Sequence, residues 1–371
     1  MTWLDLLLRN LWRRPGRSAF TLVGVALAVG SFLTLAGLSR GMSDAAQESL
    51  AERGVDLVVV QRGMVEFFAS DLPESLEQEI LGIPGVAEVS AELATITPVG
   101  EDAHAIVAGW RPDSFEWRSV PLIRGRMPQP GERGVVLGEA LAEALHAGIG
   151  SVVTFSFTPF HVTGIAGFTS VLNRGLAVLR LNDHQALLAH DGRVTLFNVR
   201  LAQPDDATAI ASARELITGL RRDLSVTTPG EVLRANKAVR VLATTSSAIS
   251  LLALAIAALS VLNTLAMAVE ERTHDIGILA AIGWSRARIL GLILSEGLLL
   301  ASLGGVLGAG LGWFGNNLLN LLIVPGGGVS ARATVSLTLL ALTASLVLGG
   351  FGALWPAWRA ARLDPASALR R

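Results

Sequence analysis

Charge is scarce in this chain, so each cluster of it needs a chemical reason. The segment Glu270-Glu271-Arg272-Thr273-His274-Asp275 interrupts a long apolar run and is followed at once by Ile276-Gly277-Ile278-Leu279-Ala280-Ala281-Ile282-Gly283. Glu271, Arg272 and Asp275 can form charge-assisted hydrogen bonds with a soluble partner. Ile276, Ile278, Leu279 and Ile282 supply an apolar side for that partner or for neighbouring helices, and Gly283 suits a helix C-terminus. The plain alternative is an ordinary charged loop. A second isolated charge, Glu296, falls inside an apolar stretch, where a carboxylate is a functional candidate by default. A structural role in helix packing or at a dimer interface is the first reading, ahead of substrate or proton handling. Gly304, Gly308 and Gly312 repeat at four-residue spacing, which suits close helix approach in lipid; simple tolerance of glycine in such helices is the competing reading.

Patterns for bond-making chemistry fail on context. Gly37-Leu38-Ser39-Arg40-Gly41 fits a nucleophile elbow, but it ends an apolar span instead of joining a strand to a helix. Gly310-Leu311-Gly312-Trp313-Phe314-Gly315 fits a dinucleotide fingerprint, yet no strand precedes it. The six histidines include no pair with convincing ligand spacing. Cysteine is absent, which excludes disulfides, Cys-based zinc sites and thiol catalysis. There is no Gly-x-x-x-x-Gly-Lys-[Ser/Thr] phosphate loop, so ATP, if it drives this chain, is expected on another polypeptide. The sequence therefore predicts a non-catalytic chain with no cofactor or metal of its own.

The elements that must position these residues are set by hydropathy. The 371 residues are 51% hydrophobic and 16% charged, against about 25% charged in an average soluble domain. Net charge is −1, so no basic field invites nucleic acid. Residues 1–17 read as an amphipathic helix at the cytoplasmic membrane interface, with Trp3 and Trp12 at headgroup depth. Residues 18–39, 241–269, 289–313 and 335–355 are the expected spans, each near or above the roughly 20 apolar residues a bilayer requires. A signal peptide is the alternative for the first, but its apolar core exceeds the about 7–15 residues of such leaders. Residues 314–334 are expected to be irregular or re-entrant and to form the loop between the last two spans. Residues 270–288 form the charged connection, and 356–371 a basic tail.

Between the first two spans, residues 40–240 predict a mixed α+β domain of one lobe or two. Strand-like stretches are 55–61, 86–90, 104–109, 135–137, 152–157, 161–165 and 176–181; helices are expected at 73–81, 139–146, 207–220 and 229–240. Arginines flank the spans asymmetrically: Arg9, Arg13, Arg14 and Arg17 before the first, Arg272, Arg286 and Arg288 between the second and third, Arg359, Arg362, Arg370 and Arg371 after the fourth. The positive-inside rule then places both termini in the cytoplasm and the large domain outside.

Ser260-Val261-Leu262-Asn263-Thr264, the run from Glu271 to Gly283, and Pro356-Ala357-Trp358-Arg359-Ala360-Ala361-Arg362-Leu363-Asp364-Pro365-Ala366-Ser367-Ala368-Leu369-Arg370 together resemble the signatures of MacB/FtsX/LolC-type ABC transporter permeases (type VII, the mechanotransmission class). The one-plus-three spacing of spans and the opening Leu8-Arg9-Asn10-Leu11 fit as well. The resemblance implies that 271–283 is a coupling helix docking on a cytoplasmic ABC ATPase, present in two copies with bound ATP and Mg. Gly277 belongs to that motif. It also implies a tail near the ATPase carrying Arg359, Arg362, Asp364, Pro365 and Leu369, where Asp364-Pro365 reads as an N-cap and first helical residue. Asn263 joins Glu296 and the glycines as an intramembrane packing position. Asp275 stands where the family usually has Glu and Ala280 where it usually has Arg, departures that bear on partner choice. Half a transporter implies a second permease copy, identical or similar, with a periplasmic adaptor or outer-membrane component as a further partner. The implied activity is export or extraction of a hydrophobic or amphipathic substrate (lipid, lipoprotein, drug or peptide), driven by a stroke that passes along span two. An FtsX-like scaffold that activates a cell-wall hydrolase is the alternative, and a membrane-embedded hydrolase a third.

Overall fold

The structure, a computed structural model, describes residues 15–63, 67–100, 103–235, 237–323 and 332–364. The interfacial helix expected at the N-terminus, residues 324–331 of the expected loop, Pro365 and Leu369 lie outside them. The chain divides into two compact units, one holding the membrane helices and one holding Ser39–Leu242.

In chain order the elements are α1 (Pro15–Glu52), β1 (Leu57–Gln61), β2 (Leu72–Pro73), α2 (Leu76–Leu81), β3 (Val86–Val99), β4 (Ala103–Trp110), α3 (Phe115–Arg118), β5 (Leu122–Gly125), β6 (Gly134–Gly138), α4 (Glu139–Ala144), β7 (Val152–Phe155), β8 (Thr158–Ala166), α5 (Val171–Arg174), β9 (Leu176–Arg180), α6 (Leu181–Leu188), β10 (Arg193–Val194), β11 (Leu196–Leu201), α7 (Ala207–Leu220), β12 (Leu224–Thr227), α8 (Pro229–Ala235), α9 (Lys237–Glu271), α10 (Thr273–Ala281), α11 (Arg286–Ile323) and α12 (Val335–Ala361). A short 3-10 turn, Phe67–Ala69, precedes β2.

Four of these helices, α1, α9, α11 and α12, are long and apolar enough to cross a membrane. Their lengths correct the sequence expectation at three ends. The helix of the first span continues beyond residue 39 to Glu52, because Ala45, Ala46, Gln47 and Glu48 are good helix formers although the run is no longer continuously apolar. The third does not become irregular after Trp313 but runs to Ile323, since glycines that weaken a soluble helix are tolerated where every backbone group must bond within the segment. The fourth passes through Pro356 to Ala361. The proline forfeits one backbone bond, while burial of Ala353, Ala357, Ala360 and Ala361 keeps the helix in place.

The other unit is built on one ten-stranded mixed sheet in the order β12-β1-β11-β3-β4-β9-β6-β8-β5, with β7 joined to β3 and β8. Among the described residues only β4–β9 and β6–β8 pair in parallel. The long strand β3 serves two cores. Ala91 and Leu93 pack with Leu76 and Ile80 of α2 and Ile217 of α7, whereas Val99 packs with Leu137, Leu141 and Phe160. The two-lobe expectation therefore becomes two cores on one continuous sheet. The sequence reading overlooked β11, β12, α6 and the short β5: Asn198, Arg200, Ser225 and Arg124 interrupt the apolar character of the strands, and α6 carries the polar run Asn182-Asp183-His184-Gln185.

Candidate functional site

The charged connection between α9 and α11 is a small joint closed by local hydrogen bonds. Helix α9 stops at Glu271, and Arg272 breaks the path with φ −103° and ψ 17°. The Thr273 hydroxyl donates to the carbonyls of Val269 and Glu270 at 3.0 and 2.9 Å, covering the acceptors freed by the break. Helix α10 then ends in a Schellman motif: Trp284 N–H reaches the Leu279 carbonyl and Gly283 N–H the Ala280 carbonyl, with Gly283 at φ +100°. That left-handed residue is why glycine stands there. The Ser285 hydroxyl accepts from Arg288 N–H at 3.4 Å and opens α11.

Helical periodicity sorts α10 into two faces. Ile276 and Gly277 are buried, Ile276 packing in the core that includes Leu265, Val269, Ile289 and Ile293. His274, Asp275, Ile278 and Ile282 are exposed, the last at 73%. The sequence reading placed Ile276, Ile278, Leu279 and Ile282 on one apolar side. Successive residues turn by about 100°, so Ile276 and Gly277 face inward, Ile278 and Ile282 share the outer face with Asp275, and the half-buried Leu279 lies between the two faces.

Three consecutive charges at the joint each meet a different helix. Glu270 pairs with Arg359 of α12 at 3.1 Å. Glu271 receives both Arg17 nitrogens from α1, at 2.7 and 3.3 Å. Arg272 reaches both carboxylate oxygens of Glu296 on α11 at 3.4 Å. Glu296 is buried, and the isolated intramembrane carboxylate of the sequence reading is one half of an ion pair. Glu271 and Arg272 were read as contacts for a soluble partner; the structure turns both toward their own chain. Arg17 and Glu270 were not singled out, because nothing in the local sequence marks a residue whose partner lies in a distant helix.

Of the remaining intramembrane positions, the three glycines lie in close contact with a neighbouring helix and Asn263 does not. A Cβ on Gly304 would lie 2.7 Å from Val25 Cβ, on Gly308 2.6 Å from the Ala26 carbonyl oxygen, and on Gly312 2.6 Å from Leu33 Cβ. The glycine stripe is thus the face on which α1 lies. Asn263 is exposed on α9, one residue before Thr264, whose hydroxyl is 2.6 Å from that of Thr21. Arg362 stacks on Trp358 at 4.1 Å, and Asp364 is exposed just past α12.

A second constellation lies in the Ser39–Leu242 unit and was missed by the sequence reading. Arg53, directly after α1, bonds Glu92 at 3.0 Å and Glu116 at 2.9 Å, all three buried. Asn198 donates to Glu92 at 2.5 Å and to Glu116 at 2.9 and 3.0 Å. Burial pushes the Glu116 carboxyl up to about 7 against the pull of Arg53, with Glu92 adding to the rise. The available signal was Glu92 itself, a carboxylate in the apolar run Ala91-Glu92-Leu93-Ala94. His184 is buried with Nε2 at 2.9 Å from the Thr95 hydroxyl, and burial lowers its pKa to about 4, so it stays neutral. Among the described residues no group of His, Asp and Glu side chains is arranged to hold a metal ion.

Comparison with known proteins bears on both units. Residues 18–216 match the MacB-like periplasmic core domain and residues 247–365 the FtsX-like permease C-terminal domain. Among curated proteins, the chain is 27% identical to a macrolide export ATP-binding/permease protein MacB from Nitrobacter winogradskyi, over all of this chain and 61% of that protein. It is 24% identical to MacB from Escherichia coli, over 95% of this chain and 58% of that one. The chain thus spans about 60% of the length of these relatives. It is also 24% identical to the uncharacterised ABC transporter permease YknZ of Bacillus subtilis, over 95% of both chains. Among solved structures, the periplasmic region of MacB from Actinobacillus actinomycetemcomitans is similar at 17% identity and a TM-score of 0.38, over 49% of this chain and 94% of that one.

Proposed function

This chain belongs to the MacB/FtsX-type ABC transporter permease family, and from that premise we propose that it is a subunit of the cell's inner membrane which converts ATP hydrolysis by a separate ATPase subunit into movement of its extracytoplasmic domain. Both termini are cytoplasmic in this reading, and the permease works as a pair with two ATPases that bind the ATP and Mg. The movement exports or extracts a hydrophobic or amphipathic substrate.

The observation that carries the reading is α10. It presents Asp275, Ile278 and Ile282 outward on a helix whose inner face and both ends are fixed to the membrane helices. A large exposed isoleucine beside a carboxylate, on the connection between two spans, suits a soluble partner better than lipid or water. The test is affinity purification of the parent chain and of Ile278→Asp with Ile282→Asp from native membranes. An ATPase is expected with the parent and lost from the variant, while the variant still inserts. An ATPase retained in full by the variant would sink the docking assignment.

The FtsX-like match over residues 247–365 favours a second reading, a scaffold whose outer domain activates a cell-wall hydrolase. The same purification separates the two. A periplasmic adaptor or outer-membrane protein beside the ATPase supports export, and a hydrolase supports scaffolding.

A further inference from the structure

Glu270, Glu271 and Arg272 are consecutive, so their side chains leave the end of α9 at roughly 100° intervals and sweep most of its circumference. Three different helices receive them: α12 through Arg359, α1 through Arg17 and α11 through Glu296. Immediately after these residues the backbone breaks at Arg272 before α10 begins. A one-residue break is a hinge unless something holds it. Here the break residue itself is held, and the two residues before it are held in other directions.

The three links are unequal. Glu270 and Arg359 are largely exposed, and Glu271 with Arg17 partly so; such pairs typically contribute little, because water screens them. The Glu296 side chain is 5% exposed and that of Arg272 19%. A carboxylate at that depth among apolar helices is expensive without its partner, so removing either member alone is strongly unfavourable. Arg272 is also the only one of the three at the hinge.

Resting on the reading of α10 as the ATPase-docking helix, we infer that the Arg272–Glu296 pair is a positioning link that passes load from α10 directly into α11. Without it the packing of Ile276 on Ile289 and Ile293 and the turn at Gly283 still join α10 to α11, but α10 pivots at residue 272 with less of its movement passed on. With it the joint and α11 move as one body, and the Glu270 and Glu271 links extend that body to α12 and α1. Arg272 and Glu296 touch no substrate; they act through the helices they hold.

The test uses the full chain co-purified with its ATPase in lipid nanodiscs, read by hydrogen exchange with and without ATP and vanadate. The informative variant is Arg272→Gln with Glu296→Gln, which removes both charges together and leaves neither buried alone. Replacing a buried pair by neutral groups is often tolerated, so a pair that served packing only would leave the nucleotide response unchanged. The expected result is that the variant keeps its ATPase and the nucleotide response of residues 273–281, while the response of α11 and of the Ser39–Leu242 unit falls at least about five-fold, the lower end of typical coupling strengths. Arg272→Lys, which keeps the charge, should retain most of the response. A full response in α11 and the outer unit of the double variant overturns the proposal, as does a parent chain whose response stops at α10. If no ATPase accompanies the parent, or removing the ATPase leaves exchange at 273–281 unchanged, the docking reading fails instead.

Discussion

Glu116 holds its proton in the folded chain at a pH where it would be ionised in water. Its ordinary value is 4.5 and its folded value about 7. Between those limits the folded state binds a proton that the unfolded state does not, so stability is greatest at the acid end, falls as pH rises through the window and levels off above it. Glu116→Gln, neutral throughout, should flatten that slope. Thermal unfolding of the detergent-purified chain across the window reads it, and an unchanged slope would show that Glu116 is not the group that titrates. The residue scale is also where sequence reading stopped short. Glu92 advertised itself as a charge among apolar neighbours, but Arg53 lies in a polar stretch and Glu116 in a short segment between Phe115 and Trp117, and they become a cluster only when α1, β3, α3 and β11 meet.

At the scale of elements, the packing of α11 on α1 rests on glycine. A Cβ on Gly308 would meet the Ala26 backbone carbonyl at 2.6 Å, whereas one on Gly310 would meet nothing within 4 Å. Gly308→Ala should therefore destabilise the bundle by about 1–3 kcal/mol through overpacking, while Gly310→Ala is neutral or slightly stabilising. Heat-induced aggregation of the two variants in detergent distinguishes them, and equal behaviour would mean that α1 does not lie on the stripe. The four-residue spacing was legible in the sequence, but the helix that occupies it was not. Spacing names the face of one helix and says nothing about which of three neighbours covers it. Helix ends were misjudged for a related reason: hydropathy reports where apolar residues stop, and α1 and α12 continue past that point on propensity and packing.

For the whole molecule, the arginine pattern and the four spans propose that the Ser39–Leu242 unit and α10 face opposite sides of the membrane. The native chain has no cysteine, so Ser119→Cys and Ser285→Cys can each be labelled singly in intact cells. A membrane-impermeant maleimide should reach the first and miss the second, and labelling of both would reject the arrangement. What the sequence determined by itself was the set of membrane helices, the charged joint between two of them and the mixed α+β character of the inserted domain. These were readable because lipid forces each span to satisfy its own backbone, which makes membrane structure nearly one-dimensional, and because alternation and turn residues mark strands locally. Tertiary structure alone decided the pairings. The partners of Arg272 and Glu271 lie 24 and 254 positions away, and strand register in the ten-stranded sheet joins segments as distant as β1 and β12. Ion pairs and strand ladders depend on distance in space, which a local pattern does not encode; only the folded chain brings those residues within reach.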